Sequence, residues 1–308
     1  MTTRLSGVIP PLVTPLTEDG EVDAGSFKRL IDRLIDAGVS GLFVCGSTSE
    51  VALLSDRLRD DVVRIAVDAA QGRVPVLAGV IDTGTLRMID HARRAEKLGA
   101  KGIVATPPFY IAPNPAEIIE HYRALAKAVS VPVIAYNIPS ATHVGIPMES
   151  LDVLAHEGTI GALKDSSGDI MYFRTAIETI GDAGIGILTG SEVFADLALE
   201  LGATGIVPGI GNVDPYGYVA IQKAAETGDW ETARREQERL IKLFEIVTVA
   251  DLSRIGFTAG ALGSFKMALY QLGVIDNPTT CTPMLPLNDE ESEIIRQHLV
   301  DAGLKPVR

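Results

Sequence analysis

The chain has 308 residues, 46% apolar and 22% charged, which excludes intrinsic disorder and leaves room for two domains of about 150 residues or one α/β barrel of about 250. Lys and Arg number 27 against 40 Asp and Glu, a net charge of −13; this excludes a general binder of nucleic acid or anionic membrane, but not a small anionic substrate in a locally positive pocket. Two cysteines, Cys45 and Cys281, make neither a disulfide framework nor a cysteine metal cluster, so a reducing cytoplasm is the expected compartment.

Pro10, Pro11 and Pro15 interrupt the apolar N-terminal stretch, which therefore lacks a signal-peptide pattern, and no apolar run of about 20 residues suggests a membrane span. Gly7–Leu12 reads as a first strand. A helix from about Asp23 to Ala37 follows, with Asp23 as N-cap, Phe27, Leu30, Ile31, Leu34 and Ile35 at helical spacing, and Gly38 as its stop. Further strands are expected at Gly41–Cys45, Pro75–Val80, Gly102–Ala105, Pro132–Tyr136, Ile160–Lys164, Gly186–Thr189 and Gly205–Pro208, with helical patterns between them. The strands are apolar without strict alternation, as parallel strands covered on both faces should be. Ala37-Gly38, Leu98-Gly99 and Leu201-Gly202 repeat one helix–Gly–strand signature. Eight βα units predict an α/β fold, a (β/α)8 TIM barrel over residues 1–227. A doubly wound open sheet fits less well, since no dinucleotide fingerprint follows the first strand. Beyond Thr227 the pattern turns helical: Trp230–Val249, Ala259–Leu272 and Asp289–Ala302 form an expected C-terminal extension, residues 228–308, packed on the barrel, with Asp276–Pro286 as a connection.

In such a barrel, chemistry sits where strands end. Those positions carry Gly46-Ser47-Thr48-Ser49-Glu50, Thr106-Pro107-Pro108-Phe109-Tyr110, Tyr136-Asn137-Ile138-Pro139, Lys164-Asp165-Ser166-Ser167, Gly190-Ser191-Glu192 and Gly209-Ile210-Gly211-Asn212. Lys164 ends an apolar strand, where desolvation disfavours the ammonium and leaves an amine able to attack a carbonyl; a strand-end lysine reaching solvent or pairing with Asp165 is the alternative. Tyr136 ends the adjacent strand and can relay a proton, or be a core tyrosine satisfied at the rim. Ser47 and Thr48 can bind a carboxylate or phosphate, or cap a helix with Ser49 or Glu50 in support. Tyr110 follows two prolines and can be a packing or interface aromatic. Gly209-Ile210-Gly211 is a weak phosphate-loop signal. His91, His121, His143, His156 and His298 show no metal-ligand spacing, so no metal and no cofactor is expected.

The opening Gly7-Val8-Ile9-Pro10-Pro11-Leu12-Val13-Thr14-Pro15, the GSTSE loop, TPPFY, Tyr136-Asn137-Ile138-Pro139 and GALKDSSGD at Gly161–Asp169 together resemble the dihydrodipicolinate synthase / N-acetylneuraminate lyase family of class I, pyruvate-handling aldolases. The resemblance spans almost the whole chain. It implies a homo-oligomer, a tetramer or dimer, and a 2-oxo acid as small-molecule partner. It implies Lys164 as the Schiff-base lysine and Tyr136 as proton relay. Ser47 and Thr48 then hold the pyruvate carboxylate, with Ser47 also in the relay. Ser166 joins the substrate-binding set, Val207 presents a carbonyl to substrate, and Tyr110 can complete a neighbouring subunit's site.

Three departures bear on substrate. Ala141 stands where a dihydrodipicolinate synthase usually has Arg for a second carboxylate. Ser191-Glu192 replaces the Asp-Glu pair usual in sialic-acid lyases, and Ser49 replaces the usual Gly of the GTTGE-type loop. The expected activity is therefore a Schiff-base lyase, a carbon–carbon aldolase or a dehydratase, that produces or consumes pyruvate, acting on a 2-keto-3-deoxy sugar acid or 4-hydroxy-2-oxoglutarate. The alternatives are 4-hydroxy-tetrahydrodipicolinate synthase, N-acetylneuraminate lyase, a non-catalytic 2-oxo acid regulator, and a phosphate-binding barrel isomerase.

Overall fold

The structure, a computed structural model, describes residues 4–308; the first three residues of the expected barrel segment lie outside them. Eight parallel strands form one sheet in the order β1-β8-β7-β6-β5-β4-β3-β2. They are β1 (Gly7–Val8), β2 (Leu42–Val44), β3 (Val76–Gly79), β4 (Gly102–Ala105), β5 (Val133–Asn137), β6 (Ala162–Asp165), β7 (Gly186–Thr189) and β8 (Gly205–Ile206). A parallel bridge between Pro11 and Phe43 joins the β1 segment to β2 and closes the (β/α)8 barrel. Every residue of the eight strands is buried, the expected result when side chains fill the barrel on one face and helices cover the other.

The first strand is shorter than its apolar run suggests. Pro10 and Pro11 have no N–H for a ladder, so regular pairing stops at Val8. The chain nevertheless stays extended: Leu12 N donates to Phe43 O at 2.8 Å, and Phe43 N donates to Pro10 O at 3.1 Å. Asn212 reinforces this seam, its Nδ2 donating to Pro11 O at 2.8 Å and its Oδ1 accepting Val13 N at 3.1 Å.

The barrel helices are α1 (Ala24–Ala37), α2 (Asp56–Ala70), α3 (Thr85–Lys97), α4 (Pro115–Ala128), α5 (Pro139–Thr142), α6 (Met148–His156), α7 (Ile170–Ile180), α8 (Ala195–Leu201) and α9 (Pro215–Glu226). Their ends follow local chemistry. The Asp23 carboxylate accepts Ser26 N at 3.0 Å to start α1, and Gly38, at φ +94°, ends it in the left-handed conformation that only glycine adopts without strain. The helix after β2 starts later than the GSTSE loop allows for. Ser47–Ser49 form a 3-10 turn, and α2 begins at Asp56, capped by Ser55.

The C-terminal helices are α10 (Trp230–Phe244), α11 (Phe257–Gln271) and α12 (Asp289–Asp301). The expected helix through Val249 tightens after Phe244 into a 3-10 turn, Glu245–Thr248. Polar ties join these helices to the barrel. Gln237 accepts Ala195 N at 2.8 Å and donates to Glu192 O at 2.7 Å, and Arg239 pairs with Asp214 at 2.7 Å. No helix among the described residues is long and apolar enough to cross a membrane.

Candidate active site

Strand register assembles the site. Tyr136 on β5 lies opposite Lys164 on β6, so both side chains leave the sheet on the same face, into the barrel mouth. Lys164 Nζ sits 3.7 Å from the centroid of the Tyr136 ring and 5.1 Å from that of Phe43. The two rings meet edge to face, 6.3 Å apart. Lys164 is 4% exposed and Tyr136 2%. The amine is thus held against two aromatic faces and almost wholly enclosed.

Asp165, the pairing partner weighed for Lys164, points the other way. Its carboxylate accepts Asn137 Nδ2 at 2.7 Å and Ser167 Oγ at 2.9 Å. Burial raises its carboxyl above the ordinary range, while those two donors oppose the rise. Asn137 and Asp165 are themselves register partners, so a hydrogen bond on the outer face locks together the two strand ends that present Tyr136 and Lys164 inside.

The Ser47–Thr48 turn approaches the same mouth through Phe43: a Cβ on Gly46 would come within 2.7 Å of the Phe43 ring. Ser47 is exposed and Thr48 half-buried. The departure at Ser49 has a physical account. Its hydroxyl donates to Leu12 O at 2.6 Å and accepts Gly46 N at 3.3 Å, tying the turn to the seam of the barrel. Ser166 and Lys164 both pack against Gly190, where a Cβ would fall 2.0 Å from Ser166 Oγ and 3.1 Å from Lys164 Cε; any side chain there would displace Ser166 and crowd the lysine. Val207 is buried after β8, its N–H donated to Thr189 O at 2.7 Å.

Tyr110 is not brought to this chain's mouth. It is 95% exposed, in the left-handed conformation at φ +75°. Behind the loop that carries it, His121 Nε2 bonds Thr106 O at 3.1 Å and Nδ1 bonds Thr85 Oγ1 at 2.9 Å. Burial pushes this imidazole down to about 4.

The Gly209-Ile210-Gly211 turn is already occupied. Gly209 N donates to Glu192 Oε1 at 2.8 Å and Gly211 N to Pro208 O at 3.2 Å, so a carboxylate of the chain itself sits where a phosphate would bind. Burial raises the Glu192 carboxyl, against the Gly209 N–H and the charge of Lys164. The sequence reading placed Gly190, Asn137 and Asp165 at strand ends but missed the roles of Gly190 and of the Asn137–Asp165 bond, and it missed Phe43 as part of the site. Gly190 carried a signal, being a glycine at the end of a strand beside a suspected lysine. Phe43 looked like any other strand residue.

The sequence profile of the Dihydrodipicolinate synthetase family matches residues 4–302. The chain belongs to this family. It is 33% identical over 300 residues to an uncharacterised DapA-like lyase of Halobacterium salinarum, covering 97% of this chain and 95% of that one. It is 34% identical over 299 residues to a 4-hydroxy-tetrahydrodipicolinate synthase of Hyphomonas neptunium, covering 97% of each. Among solved structures it is similar to YagE, a prophage protein of the dihydrodipicolinic acid synthase family from E. coli K12 in complex with pyruvate. The TM-score is 0.91 and the identity 29%, over 98% of this chain and 99% of that one. The dihydrodipicolinate synthase of Bacteroides thetaiotaomicron is likewise similar, with a TM-score of 0.91 and 33% identity over 98% of this chain and 100% of that one. The family membership makes the chain a lyase of the Dihydrodipicolinate synthetase family.

Proposed function

We propose that the chain is a Schiff-base lyase that produces or consumes pyruvate, with Lys164 as its nucleophile. The observation that carries this reading is a buried lysine whose Nζ lies 3.7 Å from the ring of a tyrosine on the neighbouring strand end. The complex of the similar E. coli protein with pyruvate supports the substrate class.

The 2-oxo acid enters with its carboxylate at Ser47 and Thr48, beside Ser166 and the Val207 carbonyl. Neutral Lys164 adds to the ketone carbon. Its two N–H protons and the former ketone oxygen leave as water once a further proton has been supplied, giving an iminium. Tyr136 and Ser47 carry those protons. The iminium then takes up the electron pair of the bond that breaks: Tyr136 accepts the proton of the substrate's β-hydroxyl as aldol cleavage releases an aldehyde and leaves an enamine, and protonation and hydrolysis of the enamine free pyruvate and the amine. Tyr110, exposed on its own chain, completes a neighbouring subunit's site, so a dimer or tetramer belongs to the reading, as does a cytoplasmic setting.

Ala141 favours cleavage of a 2-keto-3-deoxy sugar acid or 4-hydroxy-2-oxoglutarate, because a methyl group has nothing to offer a second carboxylate. The names of curated relatives such as that of Hyphomonas neptunium favour a second reading, 4-hydroxy-tetrahydrodipicolinate synthesis. Borohydride reduction with pyruvate tests the shared chemistry: a covalent adduct is expected on Lys164, and its absence from folded protein rejects both readings. Pyruvate release from a panel of 2-oxo acids, set against condensation of pyruvate with aspartate semialdehyde, separates the two. Pyruvate binding that survives Lys164→Ala, with no turnover of any candidate, would instead mark a regulator.

A further inference from the structure

The strand-end turn that carries Ser47 and Thr48 is bracketed by two non-glycine residues in the left-handed region, Cys45 at φ +54° and Glu50 at φ +61°. Such conformations persist only where the surroundings hold them. At the Glu50 end the surroundings come from the far end of the chain. Glu50 forms an ion pair with Lys266 of α11, and both side chains are 0% exposed. Its second carboxylate oxygen accepts Cys281 N at 2.5 Å. Lys266 Nζ also donates to Thr279 O at 2.7 Å. The Glu50 backbone in turn fixes the turn: its N–H donates to Ser47 O at 3.0 Å, and its carbonyl accepts Leu53 N at 2.8 Å.

Lys266 is the single charge in α11, whose other residues are mostly apolar. Burial disfavours its charged form, and the Glu50 carboxylate opposes that. A buried ion pair is a poor way to glue a helix onto a barrel, since apolar residues of like volume hold as well or better; its attested use is to select one register over others. Here the register concerns one turn, and that turn carries both hydroxyls assigned to the substrate carboxylate.

We propose that Glu50 and Lys266 are positioning residues through which the C-terminal extension sets the Ser47–Thr48 turn against Lys164, and so sets affinity for the 2-oxo acid. This rests on the reading of Ser47 and Thr48 as the carboxylate site.

Lys266→Met in the full chain is the test, with two readouts. Without ligand, hydrogen exchange of the peptide covering residues 46–54 is expected to speed up about tenfold or more, while peptides covering β4 to β6 stay within about twofold. With pyruvate and borohydride, the pyruvate concentration for half-maximal trapping is expected to rise about tenfold or more, with the saturating trapping rate within about threefold of the parent. A variant that loses thermal stability but keeps the parent's half-maximal concentration would show the pair to be structural only and overturn the proposal. If Lys266→Met does not fold, Glu50→Gln is read the same way, since its amide still offers an acceptor to Cys281 N–H. If the parent protein itself is never trapped, the carboxylate-site reading fails separately, and unchanged exchange over residues 46–54 then overturns the positioning role too.

Discussion

β5 begins with Val133 and Ile134 and ends with Tyr136 and Asn137. Its first residues line a cavity of about 850 Å³ at the N-terminal floor of the barrel, together with Leu77, Ala162 and, among its charged residues, Arg4 and Lys101. Its last residues reach the mouth, where Tyr136 meets Lys164. The floor holds a lined cavity and the mouth holds the reactive pair. Arg4 and Lys101 are exposed, while Lys164 is buried against two aromatic rings. The contrast follows barrel logic: strand starts are dictated by packing, and strand ends are free to carry reactive groups because the following loops shape their surroundings. None of the residues that meet at the mouth lines the floor cavity.

The strongest way to break this contrast is at the lysines. Lys164→Ala is expected to abolish pyruvate trapping by borohydride, read by intact mass; an adduct that persists would move the chemistry elsewhere. Tyr136→Phe is next: turnover of the best 2-oxo acid in the panel should fall by about 10²-fold or more, with the circular dichroism spectrum unchanged. At the floor, Ile134→Ala should cost about 2–5 kcal/mol in urea unfolding while leaving the pyruvate dependence of trapping intact, the mirror image of Tyr136→Phe. A subtler effect comes from His121 behind the mouth. Its folded value of about 4 lies below the ordinary 6.5, so the fold prefers the neutral ring. That stabilisation is fully present above pH 6.5 and is lost as pH falls toward 4, by up to about 3 kcal/mol. His121→Gln should flatten unfolding free energy against pH across that window. The smallest effect is expected from Lys101→Ala, within about 0.5 kcal/mol of the parent in stability and indistinguishable in trapping.

The barrel was legible because each strand and helix is announced locally. Apolar runs of four or five residues alternate with amphipathic stretches, and Gly38 and Gly202 mark helix ends by a conformation other residues resist. The positions of Lys164 and Tyr136 at adjacent strand ends could also be read, since strand order follows chain order in such a barrel. The hidden parts depend on contacts between distant segments. Nothing near Glu192 in the chain says that its carboxylate will take the Gly209 N–H, and that bond decides against a phosphate loop. Nothing near Glu50 names Lys266. The signal lay in α11 itself: a helix apolar nearly all round is a buried helix, and a lone lysine in it needs an acid from elsewhere. Prolines in the first apolar run carried another available signal, and they explain why β1 is two residues long where the run suggested six.

That shortened strand bears on how the chain is made. β1 pairs with β8, Gly7 opposite Gly205, so one of its neighbours emerges some 200 residues later. At about 5–20 residues per second of synthesis, the first strand waits roughly 10–40 s with one side unpaired. An open strand edge invites pairing with other nascent chains, and proline is a standard way to blunt it. Pro10 and Pro11, which shorten the finished ladder, also leave the waiting strand with fewer N–H groups to offer a wrong partner.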